Sequence, residues 1–302
     1  MLSMRQDASH RSSLKPFENE GPGRQVRRMG GYLSVVVPAK NEAESLPRLV
    51  KEITQALRPL TAVRAGRPRL SGFEILVVDD GSTDGTPDVM RKLSEYYPWL
   101  RSIRLSENVG QSAATMAGIR EATGSWVATL DADLQNDPSD LAVLWHALPG
   151  FDAALGWRVK REDVWLKRVI SRWANRVRNR VLGQSIKDTG CSVRIFPRDV
   201  ALRLPMFRGG HRFFGPLMIR EGCSIVQRPV NHRPRPHGTS HYNVWNRSFR
   251  VVVDLIGVAW LMRRGVQYHV AEVIAAARAP DTPGRATPPA PHVTRRPARQ
   301  EA

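Results

Sequence analysis

Four short apolar runs, at residues 33–37, 73–78, 100–105 and 126–130, each give way to a polar loop and then to a stretch with helical spacing. No other feature limits the possible folds as strongly. Strands alternating with helices form βαβ units, and such units close into a mainly parallel sheet through right-handed crossovers. The local cues agree with this. Asn41 is expected as an N-cap ahead of Leu46, Leu49, Val50, Ile53 and Leu57, and Pro87 starts the next helix. A helix rich in small residues follows over 113–122. Parallel strands deliver their carboxyl ends to one edge, so the loops 38–42, 79–84 and 131–135 should converge on a single crevice there.

The last of these loops carries Asp131, Asp133, Gln135 and Asp137. Asp137 and Pro138 then read as the N-cap and first position of a helix. A strand ending in oxygen-bearing side chains is a good place for a hard divalent cation. Asp-Ala-Asp taken alone is as often a solvated turn, so the rest of the chain has to decide.

After a further strand at 151–156 the character changes. Residues 158–180 read as a basic amphipathic helix with Arg168, Arg172, Arg176 and Arg180 along one face. These four in register have no carboxylate partners, so the face is either solvated or binds an anion. Residues 188–196 suggest a loop feeding a strand, 198–204 a short helix, and 223–230 another strand. The loop 232–242 holds arginines, histidines and hydroxyls but no acid, which suits an anion. Residues 247–264 are apolar between arginines. They are shorter than the roughly 20 apolar residues of a spanning helix and contain Asp254. That segment is expected in a membrane interface, docked on a membrane partner, or in the core.

The net charge of +18 attracts nucleic acid, anionic membrane or phosphorylated small molecules without choosing among them. With 41% hydrophobic residues the chain has enough for a sizeable core. Cys191 and Cys223 have no metal-ligand spacing and read as buried thiols. Residues 1–31 are expected as a disordered basic leader, 32–242 as the folded domain, 243–270 as the amphipathic segment and 271–302 as a mostly disordered tail.

In order along the chain stand VVVPAKNEAESL, VVDDGSTDGT, ENVGQSAATMAGI, DADLQNDP, the Arg158 region, KDTGCSVRIF, HRFF and HRPRPHGTSHYN. This series resembles the family 2 glycosyltransferases of the GT-A fold, and more narrowly those that load a sugar onto a polyprenyl phosphate. The resemblance implies an α/β GT-A fold, a Rossmann-like mainly parallel sheet with helices on both faces, followed by a C-terminal amphipathic membrane-interface helix. It implies an inverting enzyme that moves a sugar from UDP or GDP to a lipid phosphate at the cytoplasmic face of the membrane, as a peripheral protein. Pro38, Ala39, Glu42, Asp79, Asp80, Gln111, Asp131, Arg233, Arg235 and Ser240 would bind the nucleotide sugar, with Ser112 beside Gln111. Asp131, Asp133 and Gln135 would hold Mg²⁺ or Mn²⁺. Arg158 and Arg172 would grip the acceptor phosphate, and Asp133 and Arg158 would be the residues closest to the chemistry. The implied partners are the nucleotide sugar, polyprenyl phosphate and an anionic membrane surface, with room for a small integral membrane partner; no nucleic acid is expected.

Two departures from the family pattern stand out. Ser240-His241-Tyr242 replaces the usual Ser-Lys-Tyr, which makes the charge at that position depend on pH. Many relatives also carry C-terminal spanning helices, whereas here only the 247–264 segment follows. The alternatives are a family 2 transferase acting on a saccharide hydroxyl, a basic nucleic-acid-binding protein, and a non-catalytic scaffold.

Overall fold

Val35, Val36 and Val37 are fully buried in consecutive positions of one strand, which places that strand inside a sheet covered on both faces. The structure, a computed structural model, describes residues 30–62, 68–159, 179–183, 185–234 and 244–264, with side chains of the last segment from 252. Seven strands form one sheet: β1 (Gly30–Ala39), β2 (Arg69–Asp79), β3 (Leu100–Arg104), β4 (Trp126–Thr129), β5 (Ala153–Arg158), β6 (Arg194–Pro197) and β7 (Ile225–Val230). Their spatial order is β3-β2-β1-β4-β6-β5-β7. Every neighbouring pair is parallel except those of β6, which runs antiparallel to both β4 and β5.

The helices are α1 (Leu46–Leu57), α2 (Thr86–Tyr96), α3 (Gln111–Glu121), α4 (Asp140–Ala147), α5 (Arg198–Arg203), α6 (Phe214–Arg220) and α7 (Val244–Arg263). Alternation along β1 divides the core. Leu33, Val35 and Val37 face α1 and α4, whereas Val36 shares the opposite core with α3, α5, α6 and α7. Gly118 lets α3 lie close on the sheet, since a Cβ there would collide with Val36 and Val78. The crossovers take β2 and β3 to one side of β1 and β4 to the other. A crevice therefore opens at the carboxyl ends of β1 and β4, where the order reverses.

Several expected boundaries shift. β1 begins at Gly30, because backbone pairing to Arg69 extends it beyond the apolar run. Asn41 does not cap α1. It sits at φ +55, and its side-chain oxygen accepts from Thr83 N at 2.9 Å, tying the loops after β1 and β2 together. Asp137 lies one turn ahead of α4, where Oδ1 accepts from Ser139 N, and the helix starts at Asp140. Arg158 is the last residue of β5, opposite Val230, rather than the start of a helix. Most of the expected basic helix, Arg172 included, lies outside the described residues, as do Arg235, Ser240 and His241; residues 179–182 are helical. Cys191 is buried as expected and Cys223 is half-buried.

Helix α7 presents two faces. Val258 and Ala259 are buried against the second core, with Leu255 and Met262 beside them. Val252, Val253, Ile256 and Trp260 point outward and are exposed. No helix among the described residues is long and apolar enough to cross a membrane.

Candidate active site

The loops after β1 and β2 are joined through their backbones. Asn41 N donates to Ser82 Oγ, Glu42 N to Thr86 Oγ1, and Asp80 N to Ala39 O. The two acids of this junction serve the joint. Asp79 is 0% exposed; its Oδ1 accepts from Ser82 N at 2.9 Å, and Arg104 Nε lies 3.5 Å from Oδ2. Asp80 takes the amides of Val109 and Gly110 at 2.8 and 2.9 Å, which fixes the loop ahead of α3. Both carboxylates shape the rim of the crevice from within. Ala39 is buried and contributes its carbonyl, whereas Pro38 lines the open space directly.

That space is a cavity of about 290 Å³. Asp131, Gln111, Pro38 and Thr129 line it on the side of β1, α3 and β4; Arg158, Arg194, His211 and Arg212 bring basic side chains to it from other parts of the chain. At the low end of ligand-pocket sizes (~300 Å³), it suits one sugar ring or a phosphate group rather than a whole nucleotide sugar. A second cavity, of about 260 Å³ beside α1 and α4, is lined by Ala56, Leu60, Pro68, Ala142 and His146 among others. Its lining lacks convergent charges.

On the acidic wall, Gln111 Nε2 donates to Asp131 Oδ1 at 2.7 Å. Burial pushes the Asp131 carboxyl up to about 6, and the nearby Asp133 adds to the rise, against the pull of Ser192, Arg194 and Arg158. Asp133 Oδ1 accepts from Gln135 N at 3.2 Å. Between them Leu134 is buried at φ +60, a conformation that costs a branched residue about 1–2 kcal/mol. Two crowded carboxylates with an amide at Gln135 fit a hard cation, because an oxygen-only donor set suits Mg²⁺ or Mn²⁺ and a cation relieves the repulsion between the acids. Among the described residues no three His, Cys, Asp or Glu side chains gather; magnesium needs no such cluster, since it commonly binds through one or two carboxylates plus substrate phosphates.

On the basic wall, Arg158 is already engaged. Its Nε and Nη2 donate to Asp188 at 2.7 and 3.1 Å. Arg194 differs. It is 6% exposed on β6, and its Nη1 and Nη2 donate to the neutral carbonyls of His211 and Thr189 at 2.7 and 3.1 Å. Its guanidinium lies 5.4 Å from the Phe214 ring centroid, and among the described residues it makes no ion pair. A buried permanent cation bound only to neutral groups favours an anion in the adjoining space. Ser112 Oγ lies 2.8 Å from His211 Nδ1 and accepts from Gly209 N and His211 N. It is thus committed to the 209–211 segment rather than to a ligand.

Arg233 lies apart from this pocket. Its Nη1 donates to Glu52 at 2.6 Å and its Nη2 is 2.9 Å from Asp137, while its own N–H donates to Gln135 O. In that position it clips the segment after β7 onto α1 and the β4 loop. Sequence reasoning gave no role to Arg194, His211, Arg212 or Asp188. One signal was available: an arginine between Val193 and Ile195 in an apolar strand is a buried charge that needs a reason.

The sequence model described as Glycosyl transferase family 2 matches residues 34–204. A dodecaprenyl-phosphate galacturonate synthase from Rhizobium johnstonii is 36% identical over 237 residues, covering 76% of this chain and 67% of that protein. Among solved structures, a mannosyltransferase from Pyrobaculum calidifontis in complex with GDP-Man and Mn²⁺ aligns at TM-score 0.53 and 23% identity, over 78% of this chain and 65% of that one. A mannosyl-3-phosphoglycerate synthase from Rubrobacter xylanophilus aligns at TM-score 0.57 and 17% identity, over 77% and 74%. These likenesses concern the fold, and the mixed seven-stranded sheet is the GT-A arrangement that the motifs implied.

Proposed function

The chain belongs to glycosyl transferase family 2, and from that premise we propose that it transfers a sugar from a nucleoside diphosphate to a polyprenyl phosphate. The observation that carries the proposal is the cavity itself, in which Asp131 meets Arg158, Arg194, His211 and Arg212. Its composition suits a reaction that brings two anions together. A phosphate acceptor is already ionised near neutral pH, so its oxygen can attack the anomeric carbon without a general base. The bond to the diphosphate oxygen breaks, the nucleoside diphosphate leaves with the electron pair, and the anomeric configuration inverts. The protein's task is positioning and charge neutralisation.

Asp131, Asp133 and Gln135 would hold Mg²⁺ or Mn²⁺, which when bound neutralises charge on the leaving diphosphate. Gln111 fixes the orientation of Asp131. Arg194 supplies positive charge in a dry site, where an electrostatic contact is worth more than in water. Arg158, held flat by Asp188, offers the remaining face of its guanidinium. Arg172, Arg235 and Ser240 join the acceptor and diphosphate ends on the strength of the motifs alone.

Access to a lipid substrate needs a contact with the bilayer. The outward face of α7 offers Val252, Val253, Ile256 and Trp260, with Arg263 and Arg264 exposed at its end. An apolar stripe bordered by arginines suits an anionic interface, where each basic residue near the surface contributes about 1 kcal/mol. In this reading the enzyme works as a peripheral protein at the cytoplasmic face of the membrane, which the exposed stripe supports. The deciding experiment incubates the full chain with a short polyprenyl phosphate and UDP- or GDP-linked sugars, including UDP-galacturonate and GDP-mannose, with and without Mn²⁺. Lipid-linked sugar formed only with metal is the expected result; failure of every donor in both conditions overturns the proposal.

A further inference from the structure

His211 is fixed at the pocket wall through both its backbone and its ring. It lies in the tight turn Gly210–Phe213, which follows Gly209 at φ +97. A Cβ on Gly209 would also lie 2.7 Å from Asp254 Oδ2 of α7, so the entry to the turn requires glycine twice over. The His211 N–H donates to Ser112 Oγ, at the start of α3, at 3.3 Å, and its carbonyl accepts from Arg194 Nη1, on β6, at 2.7 Å. The ring meets the same serine, with Nδ1 2.8 Å from Ser112 Oγ. The residue is half-buried and lines the cavity with Arg194 and Arg212.

The hydroxyl of Ser112 decides which ring nitrogen carries the proton. A serine oxygen has two lone pairs and one hydrogen. Among the described residues Ser112 Oγ meets three polar partners: the N–H of Gly209 at 3.0 Å, the N–H of His211, and His211 Nδ1. Both N–H groups can only donate, so they occupy the lone pairs. The hydroxyl proton is left for Nδ1, which must accept it. A ring that accepts at Nδ1 carries its own proton on Nε2, the far nitrogen. The serine thus makes the histidine a donor of fixed sense. It joins Arg194 and Arg212 on a wall whose side chains offer hydrogens, and the ligand atoms that suit such a wall are anionic oxygens.

We propose that His211 donates a hydrogen bond, through Nε2–H, to a phosphate oxygen in the pocket, and that Ser112 is the positioning residue that fixes its tautomer. The phosphate is taken from the transfer reading given above, on which this rests: the lipid's phosphate and the donor's diphosphate present the same oxygen chemistry. What is added is a neutral, directed donor among the arginines. The arginines supply charge, and the histidine supplies a single direction.

The tautomer is read first, by long-range nitrogen–proton NMR at neutral pH on the full chain labelled at the histidine ring nitrogens, with His211→Asn identifying the signal. A protonated Nε2 and a bare Nδ1 are expected; a proton on Nδ1 sinks the inference. Titration with a short polyprenyl phosphate, or with UDP and Mg²⁺, should then shift the Nε2 signal, and the ligand that shifts it tells which phosphate is bound. No shift with either overturns the proposal. In transfer assays His211→Asn, whose amide reaches only the place of Nδ1, is expected to lose about tenfold in kcat/KM. His211→Gln, which reaches the place of Nε2, should stay within about threefold of wild type. Equal losses in the two variants would reduce His211 to a packing role and end the proposal. A wild-type protein that transfers to no polyprenyl phosphate defeats the function proposed above instead, while the NMR titrations still decide whether His211 is a phosphate donor.

Discussion

The two walls of the pocket are built in opposite ways. The acidic wall comes from strand ends and the loops after them, and its side-chain oxygens are fixed by taking backbone N–H groups: Asp80 those of residues 109 and 110, Asp133 that of its own loop, Asn41 that of the facing loop. The basic wall is assembled from β5, β6 and the 209–213 turn, and is fixed by the side chains of Asp188, Arg194 and Ser112. The acidic wall follows from topology, whereas the basic one has to be assembled by packing. A change in the first should therefore remove a function while leaving the fold. In the second, function and packing share the same atoms.

The sharpest way to break this comparison is Asp133→Ala. Loss of about 10³-fold in Mn²⁺-dependent transfer is expected, with an unchanged thermal midpoint, because Asp133 makes only a loop contact. Substantial residual transfer would remove the acid from the metal set and leave the acidic wall as a turn. Next comes Arg194→Gln. A fall of about 10²-fold in kcat/KM should be accompanied by a lower thermal midpoint, since Arg194 also holds the carbonyls of Thr189 and His211. Wild-type stability with the same loss of rate would show that the two walls are built alike.

A smaller effect is expected from Arg233→Ala, which cuts the contacts to Glu52 and Asp137. It should cost about 1 kcal/mol of stability in a denaturant melt and only a few-fold in transfer. A collapse of activity without loss of fold would return Arg233 to the diphosphate end, where the motifs placed it. The smallest effect concerns Asp140, under the acidic wall. Burial pushes its carboxyl up from 3.8 to about 6, and Asp137 adds to the rise against the Asn231 amide and Arg233. A raised folded-state value means that its favourable contribution is complete below the unfolded value and is lost as pH rises through the folded one. Asp140→Asn should therefore match wild type near pH 4 and melt about 2–4 °C higher near pH 7. An offset that does not change with pH would show that Asp140 titrates alike in both states.

Motif reading located the strand ends and the Asp131 loop because those features are local: a strand's carboxyl end and the loop after it are adjacent in sequence. It misassigned Asn41 and Asp137 as helix caps. Each occupies a tight turn that bonds to a neighbouring segment, and propensity alone does not separate a cap from such a turn. Asp79, Asp80 and Arg233, expected at the nucleotide sugar, each also have structural partners that are visible only once distant segments are side by side. Arg194 was overlooked for the converse reason. Its place inside an apolar strand was legible, but its bonds to the neutral carbonyls of His211 and Thr189 were not.

By itself the sequence determined the alternation of strands and helices, hence the parallel sheet, the edge at which its loops gather and the oxygen-rich turn at Asp131. Those follow from side-chain period and turn chemistry, which act over a few residues. Only the tertiary structure decided which charges face one another. It paired Arg158 with Asp188 and Arg233 with Glu52, left Arg194 to neutral carbonyls, and set Asp254 of α7 against Gly209. Charge pairing in a folded chain depends on distance through space and on burial, and neither is a function of position along the chain.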